Sequence, residues 1–512
     1  MNLFKSLFLN FNFQRKAFVF LFFLFFVNVL FSQTHTFVFD SIQSAIYHEA
    51  IQLKTISTKK KISLAYTHDP LNLATYMSEE VADFYAVIAL SSKESFELYK
   101  VKNSERISLY ESTSLKSPFV KFSLAEFYLH RAILRVLFGE KIKAVFDLKK
   151  ARSYTLKNVE EYPSFTLNYK PKSLLNILLG SIPPSVKWAS GLVSLKGDYN
   201  QGVVELNRLL NYTYVSDIYD CFFYEVLTYK VIISQQSSVS VNDNKQLATY
   251  FTTLTVKKEL PENQLLLYAW ADNLLKNGQN EKANKILLSQ KRDDDYITFW
   301  PIEFLKGITF QNKLDPSCVG YFNSYIQAVH KGNYVNACYQ RLAWQLLLNN
   351  NLQGYSQMIK KVDVNTQNTE QDQAAFFEFK SNAVPNAQLL KIRLLFDGGY
   401  YERAYSEIKK ITPEKLSGKL NQLEYYYRMA RILDKKQNYS QALLVYNKVI
   451  IDGAGFDNYF AANAALNAGS VCEMANDKSK AIFYYKKCLS MTPNQYKESI
   501  HQKAKIGLER LK

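Results

Sequence analysis

Between Leu423 and Pro493, small and bulky residues recur at the spacing of paired helices. Gly469, Cys472, Ala481, Tyr485, Cys488 and Pro493 fall at positions 8, 11, 20, 24, 27 and 32 of a 34-residue unit, and Ala430, Leu433, Ala442, Tyr446 and Val449 take positions 8, 11, 20, 24 and 27 of the unit before it. Small residues at 8 and 20 let the two helices of a hairpin cross closely, and larger ones at 11 and 24 fill the groove beside the crossing. The clearest anchors, Ala404, Ala442 and Ala481, are 38 and 39 residues apart, so the loops are lengthened.

Upstream the same grammar is looser. Asp40 or Ser41 is placed to cap a helix reaching about Lys54, Thr55 to Pro70 reads as a polar, basic connector, and Leu73 to about Leu109 reads as helical without repeat anchors. From Phe119, hairpins are predicted with Ala132 and Ala144 at the small positions around Gly139, although Arg135 falls where an apolar residue is expected. Tyr162–Leu210 holds a leucine-rich helix stopped at Gly180, a second helix begun by Pro183-Pro184 and carrying Trp188, a turn at Gly197-Asp198-Tyr199, and Gly202 at position 20. Tyr214–Ile233 reads as an aromatic helix and Ser234–Asn244 as a polar loop before Leu247–Leu254. Further pairs are expected around Ala271 and Ala283, around Gly307, and around Trp344 and Met358, with a helix over Thr369–Lys380 whose Glu370 and Asp372 suit the helix dipole. About nine hairpins lie between Phe119 and Pro493, closed by a helix with Ile500, Ala504, Gly507, Leu508 and Leu511 on one face and Lys497, Lys503, Lys505, Glu509 and Arg510 on the others, as the last unit of a solenoid requires.

The spacing resembles the tetratricopeptide repeat, whose signature is packing and not chemistry. The string SLLNILLGSIPPSVKWASGLVSLKGDYNQGVVEL, the segment NYVNACYQRLAW and the tail Tyr425–Leu508 are similar to the eukaryotic inclusion-body-clearance type of tetratricopeptide-like protein and to exported bacterial relatives. The resemblance implies an all-α, tetratricopeptide-like α-solenoid, a right-handed superhelix of antiparallel helix pairs, that serves as an adaptor without catalysis. The expected organisation is a signal peptide over 1–32, an N-terminal helical region over 33–118, repeat halves over 119–260 and 261–493, and a capping helix over 494–512.

Composition narrows the function. Hydrophobic residues are 47% of the 512-residue chain, enough to bury a continuous array. The formal charge is +17; residues 1–32 hold Lys5, Arg15 and Lys16 and no acid, so +14 remains after them. The cations are dispersed and no basic stripe interleaves with stacking aromatics, so no nucleic-acid partner is expected; an acidic partner or an anionic membrane surface fits better. Arg15 and Lys16 precede the 15-residue apolar run Ala17–Phe31, with Ser32 before a cut at Gln33. The run is shorter than the ~17–25 residues of a spanning helix and reads as an export signal. An uncleaved anchor is the other reading.

Five cysteines make no disulfide framework. Cys472 and Cys488 suit inward packing, and a disulfide between them stays open. The six histidines show no metal-ligand spacing, and neither a phosphate loop nor a nucleophile elbow is present. Asp293-Asp294-Asp295 reads as a solvated helix start ahead of Trp300. No cofactor, metal or enzyme activity is expected.

The functional candidate is the inner wall of the superhelix. In tetratricopeptide arrays positions 2, 5, 6, 9 and 12 of each first helix line it. Here they give Asn386 and Arg393, then Tyr427, Arg428 and Arg431, then Asn463 and Asn467. Guanidiniums and carboxamides on adjacent helices suit an extended peptide or an acidic group. Glu424 is placed to pair with Arg428 at i+4, which leaves a solvated polar face as the competing reading. The expected function is an exported, non-enzymatic scaffold for protein–protein interaction in the bacterial cell envelope, periplasmic or at the outer membrane. The alternative is a glycan- or nutrient-binding protein of the envelope, suited by 36 Tyr, 35 Phe and 4 Trp.

Overall fold

The computed structural model describes residues 34–181, 197–215, 219–234, 241–366 and 369–511. They form an α-solenoid of antiparallel helix pairs; among them the only β pairing is two isolated bridges, Thr36 with Asn72 and Lys54 with Tyr296. No helix among the described residues is long and apolar enough to cross a membrane. In chain order the first helices are α1 (Ser41–Gln52), α2 (Ile56–His68), α3 (Leu73–Leu90) and α4 (Lys93–Ser112). Next come α5 (Pro118–Leu137) with α6 (Lys141–Glu161), α7 (Tyr169–Ser181) with α8 (Tyr199–Tyr214), and α9 (Asp220–Ser234) with α10 (Val241–Val256). The pairs α11 (Gln264–Lys276) and α12 (Asn280–Leu288), α13 (Pro301–Asn312) and α14 (Cys318–Val329), and α15 (Val335–Leu348) and α16 (Leu352–Ile359) continue the array. The single helix α17 (Glu370–Ser381) precedes the pairs α18 (Ala387–Asp397) and α19 (Tyr401–Ile408), α20 (Lys419–Lys435) and α21 (Tyr439–Asp452), and α22 (Phe460–Met474) and α23 (Lys478–Leu489). The last helix is α24 (Lys497–Arg510).

Small residues stand where the helices touch. Ala132, Ala144, Ala271, Ala283, Ala404, Ala430, Ala442 and Ala481 are all buried at the crossings the repeat spacing assigns them. Gly202 of α8 lies against Ile177 and the Ser173 carbonyl of α7, where a Cβ would meet atoms at 2.7 and 2.8 Å. The stack is not strictly neighbour to neighbour. The α11–α12 and α18–α19 turns meet at Gly278 (φ 68°) and Gly399 (φ 80°), and a side chain on Gly399 would collide with the Gly278 carbonyl. Tyr400 seals this contact by donating its hydroxyl to Glu281 at 2.5 Å.

In the N-terminal half the first helix packs across later ones. Asp40 caps α1 through a reciprocal bond with Gln43, and α1 then lies across α3, α9 and α11. Its Tyr47 donates to Glu225 of α9 and accepts from Lys170 of α7 at 2.9 Å. Around them a fully buried charge network gathers. Lys170 pairs with Glu126 of α5 and, at 2.6 Å, with Glu225. His130 Nδ1 lies 2.9 Å from Glu80 of α3, which also accepts from Tyr99 of α4. Tyr85 and Tyr229 donate to Glu225 at 2.6 and 2.7 Å. Burial alone would raise the Glu225 carboxyl; Lys170 and His130 overcome it and hold it at about 2. Glu126, in the same shell, is raised by burial. Buried ionic groups need this many partners because the desolvation penalty of each is several kcal/mol.

Several sequence expectations change. Thr55–Pro70 is not a connector: it contains α2, whose first amides Ile56 N and Ser57 N bond Asp295 Oδ1 at 2.8 and 2.9 Å. Asp295 therefore caps a helix almost 240 residues away instead of starting one ahead of Trp300. Likewise Asp372 reaches from α17 to the Tyr334 and Ala337 amides of α15, at 2.8 and 3.1 Å, besides sitting in its own first turn. Leu73–Leu109 is two helices, broken at Ser91 (φ 49°). Tyr214 ends α8 and does not begin the aromatic helix, which starts at Asp220. The expected loop over Ser234–Asn244 gives way to α10 from Val241 onward. Pro183, Pro184 and Trp188 lie outside the described residues. All five cysteines are buried free thiols, Cys472 and Cys488 included.

Candidate functional site

In the C-terminal half three first helices, α18, α20 and α22, stand side by side, and α24 packs against α22 and α23. Between them is a cavity of about 230 Å³ walled by Arg393, Asp397, Tyr427, Arg428, Arg431 and Asn463, and by Glu370, Tyr459, Leu466, Tyr496, Ser499, Ile500 and Lys503.

Five of the seven residues expected on the inner wall are brought together: Arg393, Tyr427, Arg428, Arg431 and Asn463. Asn386 is not among them. It is the N-cap of α18, and its side-chain oxygen accepts from the Gln388 and Leu389 amides at 3.0 and 3.1 Å. Asn467 lies one turn beyond Asn463 on α22 and does not line the cavity either.

The arginines differ in freedom. Arg428 is 2% exposed. It makes the expected i+4 pair with Glu424, at 2.7 Å, and donates to the Tyr459 hydroxyl at 3.4 Å, so it is a supporting member of the wall. Arg431 stacks 4.0 Å over the Phe396 ring and lies 3.6 Å from Asp397. Arg393 stacks 4.8 Å over Trp344 and lies 3.7 Å from the same Asp397. One carboxylate thus serves two guanidiniums, and stacking on aromatic faces holds their planes. Asn463 donates to the Tyr427 hydroxyl at 2.6 Å, which fixes that ring against the cavity.

The side chains that complete the site come from outside the repeat positions. Tyr459 and Tyr496 are the residues just before α22 and α24, and their rings meet edge to face at 5.1 Å. Tyr496 takes a left-handed backbone, φ 57°, uncommon for a bulky residue. Lys503 belongs to α24, whose lysines the sequence places on the outer polar face; the structure turns this one into the groove. Lys503 is exposed at the rim of the groove; desolvation by the surrounding wall lowers its pKa, and Lys276 of α11 and Arg431 add to that effect against Glu370. Beside the cavity, Arg341 of α15 is pushed down to about 10 by burial and by Arg393. Arg341 donates to the Gln311 side chain at 3.0 Å and lies 5.4 Å over the Trp344 ring. The Tyr496 hydroxyl is pushed up to about 12, chiefly by burial, and stays protonated as a donor.

Chemically the site offers cations, phenol hydroxyls and one carboxamide. Four cations line it against the two acids Glu370 and Asp397. It has no nucleophile paired with a base. Among the described residues no group of His, Cys, Asp and Glu side chains is arranged to hold a metal ion. Burial raises the thiols nearest to it in the C-terminal pairs, Cys472 and Cys488, the latter to about 12, so neither is a reactive thiolate.

No protein-family model matches the chain, and no curated protein matches it. Solved structures do. The chain is similar to the crystal structure of the P58(IPK) TPR domain, at 13% identity over 74% of this chain and 98% of that one, with a TM-score of 0.20. It is also similar to a human IFIT1 dimer with m7Gppp-AAAA, at 11% identity over 89% of this chain and 96% of that one, with a TM-score of 0.30. The tetratricopeptide-like assignment stands on the helix pairing itself: buried alanines and glycines at the crossings of successive antiparallel pairs.

Proposed function

We propose that the protein is an exported, non-enzymatic helical-repeat scaffold of the bacterial cell envelope that holds a partner protein through an acidic segment seated in the C-terminal groove. One observation carries the reading. Lys503 and three arginines line the groove against two acids, Glu370 and Asp397, and Arg393 and Arg431 share Asp397. An incoming carboxylate supplies the missing counter-charge, and arginine forks orient it. The open inner wall of three adjacent first helices suits an extended segment. Export is supported by the apolar run Ala17–Phe31 behind Arg15 and Lys16.

The test is binding of a fluorescent Asp/Glu-rich peptide against its Asn/Gln counterpart, with Lys503→Ala and Arg431→Ala as accessible variants. Each lost charge-assisted bond is worth about 1.5–3 kcal/mol, so each variant is expected to weaken binding at least about tenfold without a change in melting temperature. Equal binding of the acidic and neutral peptides would overturn the reading. Arg428→Ala is a poor probe, because it strands Glu424. Amino-terminal sequencing of the chain from an envelope fraction tests export, with Gln33 expected at the new terminus.

A second reading, glycan binding, is favoured by a separate cleft of about 310 Å³ between α8, α9 and α10. The exposed Tyr214 ring stands there, packed on Phe223 and Tyr250, and Asp220 and Glu259 supply acceptors. Retention on immobilised polysaccharide that Tyr214→Ala abolishes would favour this reading over the first.

A further inference from the structure

The tip of the α5–α6 hairpin has a different character from the groove. The two helices meet at Gly139, φ 82°. Outside that turn Val136 is 52% exposed, Leu137 42%, Ile142 68% and Phe146 60%. Helix α6 already buries Ala144, Val145, Leu148 and Ala151 against its neighbours, so Ile142 and Phe146 form a second apolar edge on its solvent side. Cations surround this edge. Lys141, Lys143 and Lys150 are exposed, and Lys149 holds its ammonium 5.9 Å over the Phe146 ring. The nearby acids are engaged elsewhere. Asp147 is buried under Arg131 and Arg135 at 2.7 and 2.8 Å, and Glu140 is held by Lys100 at 3.0 Å, leaving Lys143 3.8 Å away.

An acidic protein or a nucleic acid would use the lysines and leave four large apolar side chains in water. An anionic lipid surface uses both, since apolar groups enter the headgroup boundary while lysines stay with the phosphates. We infer that the α5–α6 tip docks on an anionic phospholipid surface, with Ile142 and Phe146 inserted and the surrounding lysines on the headgroups. The contact uses residues of α5 and α6 alone and does not depend on the peptide groove.

The experiment reads the tip locally, so that other membrane-seeking parts of the chain do not obscure it. Ser153, exposed on the same side of α6, is changed to cysteine (Ser153→Cys) and labelled with an environment-sensitive dye; the five native cysteines are buried. Vesicles of phosphatidylcholine with phosphatidylglycerol are expected to shift and brighten the emission, and pure phosphatidylcholine vesicles to leave it unchanged. Ile142→Ser with Phe146→Ser should weaken the response about tenfold or more, from the apolar area no longer buried. Lys141→Glu with Lys143→Glu and Lys150→Glu should weaken it on the order of a hundredfold. Circular dichroism confirms that the exposed substitutions leave the fold intact. No response to anionic vesicles overturns the inference. So does a response that survives loss of Ile142 and Phe146, or one that double-stranded DNA reproduces without lipid, because either outcome assigns the lysines to charge alone.

Discussion

Gly507→Ala is the sharpest test of how α24 is seated. A Cβ on Gly507 would lie 2.6 Å from both Cε2 and Cζ of Tyr485, while Gly469 of α22 presses the other edge of that ring, its own added Cβ coming within 2.6 Å of Cε1. The ring has no room to step aside. Its hydroxyl donates to Glu473 at 2.6 Å, and Glu473 in turn takes both Arg510 nitrogens of α24 at 2.9 Å. Two effects oppose each other. Alanine is favoured over glycine in a helix by about 0.8–1.0 kcal/mol. Overpacking a filled contact costs about 1–3 kcal/mol. The net expectation is a loss of about 1 kcal/mol, felt as faster amide exchange in α22–α24 with α1–α8 unchanged, because a solenoid passes stability mainly to its neighbours. Lys503 sits one turn before Gly507, so peptide binding should weaken along with the seat. Hydrogen exchange with urea denaturation reads the first effect and peptide anisotropy the second. A gain of about 1 kcal/mol would refute the reasoning, since it would mean that helix propensity acts alone and the ring yields. Adding Tyr485→Leu should remove the penalty.

Three further outcomes are expected. Lys170→Met should cost about 3–5 kcal/mol in urea denaturation by leaving Glu126 and Glu225 without their shared cation, and adding Glu126→Gln and Glu225→Gln should recover most of it; a loss below about 1 kcal/mol would show the network to be ornamental. Glu225 titrates near 4.5 unfolded and about 2 folded, so its contribution, about 3 kcal/mol, is present above pH about 4.5 and is lost as pH falls toward 2. The raised His130 and Glu126 work in the opposite sense: the folded state gives up stability as pH rises through their folded values, so stability should peak in mildly acidic solution and Glu225→Gln should flatten the acid limb alone. Asp295→Ala should lower stability by about 0.5–2 kcal/mol through the lost cap on α2, with exchange rising first at the Ile56 and Ser57 amides.

The hairpins were legible because their signal is local. A small residue at a crossing and a glycine at a turn lie within one unit, as at Ala442, Ala481 and Gly139. The three wall arginines and Tyr427 were legible for the same reason, since Arg393, Tyr427, Arg428 and Arg431 occupy first-helix positions that the repeat frame numbers. What the frame does not number stayed hidden. Tyr459 and Tyr496 stand in loops just before helices, and Lys503 belongs to a terminal helix whose outer and inner faces depend on how far the superhelix has turned. Asn386 looked like a wall residue, yet its side chain satisfies two amides at the start of its own helix, a demand as local as the repeat but invisible to its spacing. The roles of Asp295 and Asp372, and the charge network from Glu80 to Glu225, join residues far apart in sequence and follow no period.

The placement of α1 bears on how the molecule is made. Tyr47 belongs to α1, but its carboxylate partner Glu225 comes 178 residues later. Before α7 and α9 exist, α1 can rest only on α2 and α3, and contacts of such long sequence separation form slowly because a large loop must close first. The buried Tyr47–Glu225–Lys170 cluster is therefore expected to close late, after the local helix pairs around it have formed.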